Sequence, residues 1–331
     1  MTSDFTVDDL VSGLRGQSFR RVVFLVGAGI SVAAGIPDFR TPKTGLYAQV
    51  KKLGLPVPED IFSLEFFLHN PRPFYSIAKE FLFYNDLKPV LAHRFMKAAQ
   101  SSKQLLMVYT QNIDGLELQA GILEKNIVQA HGHMRSAHCV TCKSEYSMKE
   151  FELHCQQDRL FFCPKCNPDP NPAFVDTTNS EVSADTKTYH CDSGGVVKPD
   201  IIFFGEKVSR PFHRRLQKIA DADLVIVMGT SLKVSPFSQL LGLVSESTPL
   251  VIVNKELPKI ARQNVLFLPG DIETSLQTLA EQIGWSLSDS QQEHTEKRPG
   301  KRGRSPRPGE DEDGRRAGRG RGRGRGRSRQ P

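Results

Sequence analysis

The apolar residues of this chain gather in four short continuous runs, at residues 21–26, 106–109, 224–228 and 250–253. Each run closes abruptly in small or polar residues: Gly27-Ala28-Gly29, Thr110-Gln111-Asn112, Gly229-Thr230-Ser231 and Asn254. The runs are rich in β-branched residues and do not alternate, which is the pattern of strands buried on both faces of a parallel sheet. Helical stretches fall between and after them, around residues 74–83, 92–99 and 272–283. Strands alternating with helices predict an α/β fold, a doubly wound, Rossmann-like parallel sheet. Such sheets bind ligands outside the carboxyl ends of their strands. The polar residues that close the runs are therefore the first candidates for a site.

The format breaks twice. Residues 139–195 hold all six Cys, and 167–193 is rich in Pro, Asn, Asp, Ser and Thr. This predicts a small inserted module with a long loop. From about Leu287 the apolar pattern dissolves into an Arg-Gly-rich sequence that cannot repay the entropy of ordering, so a disordered tail is expected. The expected organisation is a main domain of residues 1–138 and 192–286, an insert of 139–191 and a tail of 287–331.

Charge sharpens that division. From Lys297 onward there are 14 Arg plus Lys and 4 Asp plus Glu, a net of +10 within a chain of +7, so residues 1–296 carry −3. The basic character belongs to the tail, and the body is not a basic nucleic-acid-binding fold. No apolar run approaches the roughly 18 residues of a membrane span. The N-terminal segment has three Asp and neither Arg nor Lys in its first ten residues, unlike a secretory signal or a transit peptide. Cytosol or nucleus is expected, with thiols reduced, so the cysteines read as metal ligands or buried residues.

Gly27-Ala28-Gly29-Ile30-Ser31 follows a strand, where glycines let main-chain N–H groups approach a pyrophosphate. The usual dinucleotide fingerprint is incomplete: Val32 stands where a third Gly belongs and Tyr47 where an acid belongs. On these residues alone a nucleotide site and a plain strand–helix turn are equal readings. His131 lies beside Gly132 after an apolar stretch, and its ordinary pKa suits a general base; His133 competes with it. Cys139-x-x-Cys142 and Cys163-x-x-Cys166, separated by 20 residues, have the spacing of a closed four-thiolate zinc site. Cys155 and Cys191 are left over, and a ligand set that uses Cys191 stays open.

The first Gly-rich run continues as Ala34-Gly35-Ile36-Pro37-Asp38-Phe39-Arg40. With Gln111-Asn112-Ile113-Asp114, Ala130-His131-Gly132, the stretch from Lys198 to Glu206, Gly229-Thr230-Ser231 and Asn254-Lys255-Glu256, it makes six blocks in order. They resemble the sirtuin family, and its class I members in particular, over about residues 12–285. The resemblance implies an NAD-dependent protein-lysine deacetylase that passes the acyl group to ADP-ribose and releases nicotinamide. It implies His131 as the base, with Asn112 and Asp114 beside it in catalysis. It implies NAD held by Gly27, Ala28, Gly29, Ile30, Ser31, Asp38, Phe39, Arg40, Gln111, Asn112, Ile113, Asp114, Gly229, Thr230, Ser231, Asn254, Lys255, Glu256 and, through main chain, Ile272. One structural zinc on the two cysteine pairs follows too.

An extended acyl-lysine substrate is implied along Val196, Val197, Gly205 and Glu206, with Phe62, Ile201 and Phe204 as candidates to line the acyl tunnel; ordinary core is an equal reading for these three. Histones are candidate substrates, and acetyl or a longer apolar acyl group is expected. Two other readings stand beside this one: a mono-ADP-ribosyltransferase using the same NAD site, and an RNA-binding scaffold acting through the tail. The tail repeats Arg-Gly from Arg319 to Arg327 and suits RNA or acidic partners. The basic cluster at Lys297–Arg304 tips the expected compartment toward the nucleus. No membrane partner is expected.

Overall fold

A computed structural model describes residues 5–38, 45–51, 55, 57–82, 87–167, 195–207 and 210–288. The tail expected after Leu287 lies almost wholly outside these residues, as do Phe39, Arg40 and Cys191.

Nine strands are present among the described residues. They are β1 (Val22–Val26), β2 (Leu105–Thr110), β3 (Ile127–Gln129), β4 (Gly132–Cys139), β5 (Glu145–Ser147), β6 (Val197–Ile201), β7 (Leu224–Met228), β8 (Leu250–Asn254) and β9 (Val265–Pro269). Six form one sheet in the order β3-β2-β1-β7-β8-β9, every neighbouring pair parallel. The four runs read from sequence are its four central strands. The two edge strands escaped that reading because β3 is only three residues long and β9 is half-buried along most of its length.

Alternate residues of the central strands face two different cores, which is why both sets are apolar. Val22, Phe24 and Val26 join Ile226, Met228, Val251 and Val253 under α1 (Val7–Arg15), α5 (Leu91–Ser101) and α9 (Ile272–Ile283). Val23, Leu25, Val225, Val227 and Ile252 face Phe212, Ile219, Phe237 and Leu240 on the other side. Phe212 belongs to α8 (Arg210–Leu216), and the rest of that cover consists of short 3₁₀ segments. The helix ends are fixed locally: Thr6 and Asp9 form a capping box that starts α1, and Asp271 Oδ1 accepts the Thr274 N–H at 2.9 Å to start α9.

The smaller sheet is antiparallel, in the order β5-β4-β6. It shares a third core with α7 (Met148–Gln156) and with the region that holds α2 (Leu46–Val50), α3 (Leu64–His69) and α4 (Arg72–Leu82). Phe62, Phe67, Phe74 and Phe203 pack ring against ring there, with centroids 4.9 to 6.2 Å apart. The Tyr75 hydroxyl donates to Val197 O and accepts the Phe161 N–H, tying α4 to both sides of the cysteine region. The remaining helix, α6 (Leu116–Gln119), is one turn following β2. No helix among the described residues is long and apolar enough to cross a membrane.

Candidate functional site

Because all six strands of the large sheet run the same way, their carboxyl ends meet along one edge. Gly27 follows β1, Gln111 follows β2, Ala130 and His131 follow β3, Gly229 follows β7, Asn254 ends β8 and Gly270 follows β9. The backbone packs there without room for side chains. A Cβ on Gly29 would lie 2.6 Å from Gly229 Cα, and one on Gly229 would lie 2.5 Å from Ile30 N. Gly229 also has φ +63°, a conformation that favours glycine. Gly29 N–H donates to Gly229 O at 2.9 Å, so the β1 and β7 ends are stapled together. The segment after Gly27 is a 3₁₀ stretch, Ala28–Ala34, rather than the α-helix of an ordinary dinucleotide fold.

A chain of polar groups lies over this floor. Asn112 Nδ2 donates to Ser31 Oγ at 3.2 Å and to Gly27 O at 3.3 Å. Ser31 Oγ donates to Asp114 Oδ2 at 2.7 Å, and Asp114 Oδ1 accepts the Leu116 N–H at 2.9 Å. Burial raises the Asp114 carboxyl above its ordinary range, with the Leu116 and Ser31 hydrogen bonds opposing it. Further along, Thr230 Oγ1 donates to Gln111 Oε1 at 2.6 Å and Asn254 Nδ2 to Thr230 O at 2.8 Å. The sequence motifs from four strands thus form one connected network. Ser231, Lys255 and Glu256 extend outward as exposed residues, and Gly270 N–H donates to Asn254 O just before Asp271 and Ile272.

His131 stands at the end of this network. Its main-chain oxygen accepts the Ile202 N–H at 2.8 Å, and its ring lies 6.5 Å from that of Phe237. Nε2 is buried with no hydrogen-bond partner among the described residues. Burial pushes the imidazole down to about 4, against a hydrogen bond with the Gln111 main chain that favours the charged form. A neutral imidazole with an uncommitted Nε2 is suited to accept a proton. His133 differs: it sits in β4 with Nδ1 taking the Arg135 N–H at 3.4 Å, and burial lowers it less specifically alongside the Arg135 charge.

The four predicted cysteines come together, their Sγ atoms all within 4.8 Å of one another. Cys139 Sγ and Cys166 Sγ are 3.7 Å apart, and Cys142 Sγ and Cys163 Sγ 3.6 Å. A tetrahedron with zinc–sulfur bonds of about 2.3 Å has edges of about 3.8 Å, so the cluster fits a structural zinc ion. The Tyr146 hydroxyl lies 2.9 Å from Cys163 Sγ, and the Thr141 and Cys142 N–H groups point at Cys139 Sγ. Gly195, at φ +96°, closes against Cys166, whose Cβ a side chain would meet at 2.5 Å. Cys155 is buried elsewhere in the same core.

The candidate substrate segment comprises β6 of the small sheet and the residues that follow it. Phe204 bridges to Ser63, its N–H donating to Phe62 O at 2.7 Å and its oxygen accepting the Leu64 N–H at 3.0 Å. Val196, Val197, Ile201 and Phe62 are buried in the third core, whereas Phe204 is 49% exposed and Gly205 is open. Lys198 fixes the segment from behind. Its Nζ pairs with Glu206 Oε2 at 2.9 Å, donates to Ile201 O at 2.5 Å and sits 4.4 Å above the Phe203 ring. Glu206 Oε2 also accepts the Phe203 N–H at 2.8 Å. Burial lowers the Lys198 ammonium, and Glu206 opposes that shift.

Sequence reading gave no role to His93, Glu117 or Tyr146, and took Thr110 only as one of the polar residues that close a run. Thr110 Oγ1 accepts the Asn112 N–H at 3.0 Å and so sets the turn. Glu117 carried no local signal, since its burial comes from packing against other elements. Tyr146 carried none, since its partner is 17 residues away.

Comparison with known proteins bears on the whole arrangement. Residues 27–236 match the model of the Sir2 family. The chain is 37% identical to the mouse NAD-dependent protein deacetylase sirtuin-3 over 287 residues, covering 85% of this chain and 77% of the relative. It is 35% identical over 283 residues to the NAD-dependent protein deacetylase hst2-2 of Emericella nidulans, covering 85% and 73%. It is also 39% identical over 293 residues to the NAD-dependent histone deacetylase SIR2 of Eremothecium gossypii, of which it spans about half, 52%.

Proposed function

The chain belongs to the Sir2 family, and from that premise we propose that the carboxyl edge of its large sheet is where it acts as an NAD-dependent protein deacetylase. The observation that carries this is an uncommitted, buried His131 Nε2 on a ring bonded to the main chain of Gln111, next in sequence to Asn112 of the Ser31–Asn112–Asp114 hydrogen-bond chain.

NAD would supply the acyl acceptor, a ribose hydroxyl, with nicotinamide as its leaving group and a water molecule completing the release of free lysine. Gly27, Ala28, Gly29 and Ile30 lie beside its phosphates; the N–H groups of Gly27, Gly29 and Ile30 are bonded to Met228 O, Gly229 O and Gly27 O, so Ala28 N–H is the main-chain donor of this run assigned to a phosphate. Ser31, Gln111, Asn112 and Asp114 orient the ribose and nicotinamide, so that the reacting atoms meet at high effective concentration. Gly229, Thr230, Ser231, Asn254, Lys255 and Glu256 serve the adenosine end, with main chain near Ile272. Asp38, Phe39 and Arg40 are assigned to NAD by the family resemblance, the last two lying outside the described residues. His131 Nε2 takes a proton from a ribose hydroxyl and is the general base. Residues 139–191 serve as a structural insert whose zinc ligands are Cys139, Cys142, Cys163 and Cys166.

The protein substrate adds as an extended strand beside Gly205 and Glu206. The sequence expectation for Val196 and Val197 is corrected, because Val140, Phe161 and Tyr75 already take their main-chain groups and leave no free edge there. Its acyl-lysine stem passes Phe62, Ile201 and Phe204. Histone tails are the first substrates to test, since relatives carry the name histone deacetylase. The basic tail composition supports a nuclear site of action and an RNA or acidic partner, which deleting residues 297–331 would test by salt-dependent binding.

The deciding experiment incubates the purified chain with an acetyl-lysine histone peptide, with and without NAD, followed by mass spectrometry. Loss of acetyl mass only with NAD, together with O-acetyl-ADP-ribose, is the expected outcome. NAD consumption with ADP-ribose gained on protein and no acetyl loss would put mono-ADP-ribosyl transfer in its place.

A further inference from the structure

Asp114 is backed by two buried groups that the proposed reaction does not use. Glu117 from α6 and His93 from α5 each bring one atom to within 4.8 Å of an Asp114 carboxylate oxygen and of each other. Glu117 is 1% exposed and His93 0%. His93 Nδ1 accepts the Val90 N–H at 3.3 Å, which leaves the ring proton on Nε2, and that Nε2 has no partner. Neither oxygen of Glu117 has a hydrogen bond of ordinary geometry among the described residues.

Buried polar atoms left unmet are costly, so three in one place need an account. An ionised Glu117 would add a second buried negative charge beside Asp114. Burial and the Asp114 charge push Glu117 up to about 8, with the Thr110 hydroxyl and main chain opposing in part. His93 is held neutral by burial and by the neighbouring Arg94 charge, down to about 3. At neutral pH Glu117 therefore keeps its proton and becomes a donor, and His93 Nε2–H becomes the donor behind it. Asp114 already takes one N–H and one O–H, so a third donor from Glu117 would complete its surroundings. Among the described residues, the charged and titratable groups facing Glu117 and the His93 behind it are Asp114 before α6, Arg94 on α5, and Glu273 of α9, whose carboxylate accepts the Leu91 and Ala92 N–H groups beside His93. The 3₁₀ segment Ala28–Ala34 and the end of β2 contribute the hydroxyls of Ser31 and Thr110 and the Asn112 amide.

We propose that Glu117, protonated and backed by His93, is a positioning residue that donates to Asp114 and keeps that carboxylate ionised and aimed at the NAD ribose. This rests on the reading of Asp114 as a ribose contact. Glu117 touches neither substrate nor cofactor; it acts through Asp114. When Glu117 loses its proton, the donor is lost and two adjacent buried carboxylates repel, so NAD should be held less well at alkaline pH.

The test uses the full zinc-loaded chain with E117Q, E117L and D114N, measuring thermal midpoint and initial rates against NAD and peptide from pH 6 to 9.5. Wild-type kcat/KM for NAD should fall above about pH 8. E117L should raise KM for NAD about tenfold, the cost of one buried hydrogen bond, with KM for peptide unmoved. E117Q, which keeps a donor and cannot ionise, should recover most of that loss and carry no alkaline fall of its own. An E117Q profile that falls with pH as wild type does, or an E117L variant with wild-type KM for NAD, would overturn the proposal. If E117L does not fold, the E117Q profile alone decides. D114N separates the two readings: retained NAD affinity in D114N removes the ribose assignment and this proposal together. Lost affinity in D114N with E117L unaffected removes only the role of Glu117.

Discussion

The carboxyl edge of the large sheet and the four-cysteine corner of the small one both gather residues from distant parts of the chain, but they hold them differently. At the edge, each polar group is bound by another, Asn112 to Ser31, Ser31 to Asp114, Thr230 to Gln111, over strands sealed on both faces. That geometry is held by the chain's own hydrogen bonds. At the corner, four thiols face one another, and β4 beside them is largely half-buried and polar. An ion completes that region, so it is fold first and chemistry second.

The strongest way to test the contrast is to remove one thiolate. Cys163→Ser should lose the metal, whose folding energy in small zinc domains is on the order of 10 kcal/mol. Amides of β4, β6 and α7 should then exchange rapidly while those of β1, β2, β7 and β8 stay protected. Uniform exchange across both sheets would erase the distinction. The converse change is His131→Ala, which should lower deacetylation by about 10²- to 10⁴-fold, the usual range for a general base. Zinc content and thermal midpoint should stay at wild-type values, and a variant that keeps most of its turnover would remove His131 as the base.

Lys198→Met probes the ground between the two regions. It strands Glu206, and breaking a buried pair costs about 3–5 kcal/mol. The loss should fall at the low end because Glu206 is still a fifth exposed. KM for peptide should rise more than KM for NAD; equal rises would mean that the pair holds the whole fold rather than the substrate segment.

The smallest expected effect is in stability against pH. His93 and His131, pushed down to about 3 and about 4 from an ordinary 6.5, are neutral in the fold while the unfolded chain takes up protons below 6.5. Stability contributed there rises with pH up to about 6.5. Glu117, pushed up to about 8 from 4.5, does the reverse: the fold keeps a proton the unfolded chain has released, so stability falls from about 4.5 to about 8. Together they place an optimum near pH ~6.5. Denaturant titrations of E117Q should show the alkaline decline flattened and the acid one intact; an unchanged alkaline slope would mean that Glu117 is ionised in the fold.

The same contrast governs what could be read in advance. The four central strands announced themselves because each is buried on both faces, so its own residues carry the whole signal. β3 and β9 did not, being short or half-covered edges. The Gly-rich turn, the Gln111–Asp114 block, His131 and the cysteine pairs were legible as motifs, and the structure brings the described ones together. Phe39, Arg40 and Cys191 fall outside the described residues. His93, Glu117 and Lys198 were opaque for a common reason. Their roles come from burial beside groups on other elements, and burial of a charge leaves no local pattern. The sharing of one core between α2–α4 and the cysteine region was equally invisible, because its contacts join residues far apart in the chain, as Phe62 with Phe203, 141 positions on.

Gly132 joins the two regions in a single peptide unit. At φ +81° it turns the chain from His131 into β4, and a side chain there would stand 2.0 Å from Asp200 O. The preceding oxygen, on His131, accepts the Ile202 N–H just past the end of β6. One residue therefore serves as the seam between the large sheet and the small one, and any side chain placed at Gly132 would disturb the base and the start of β4 together.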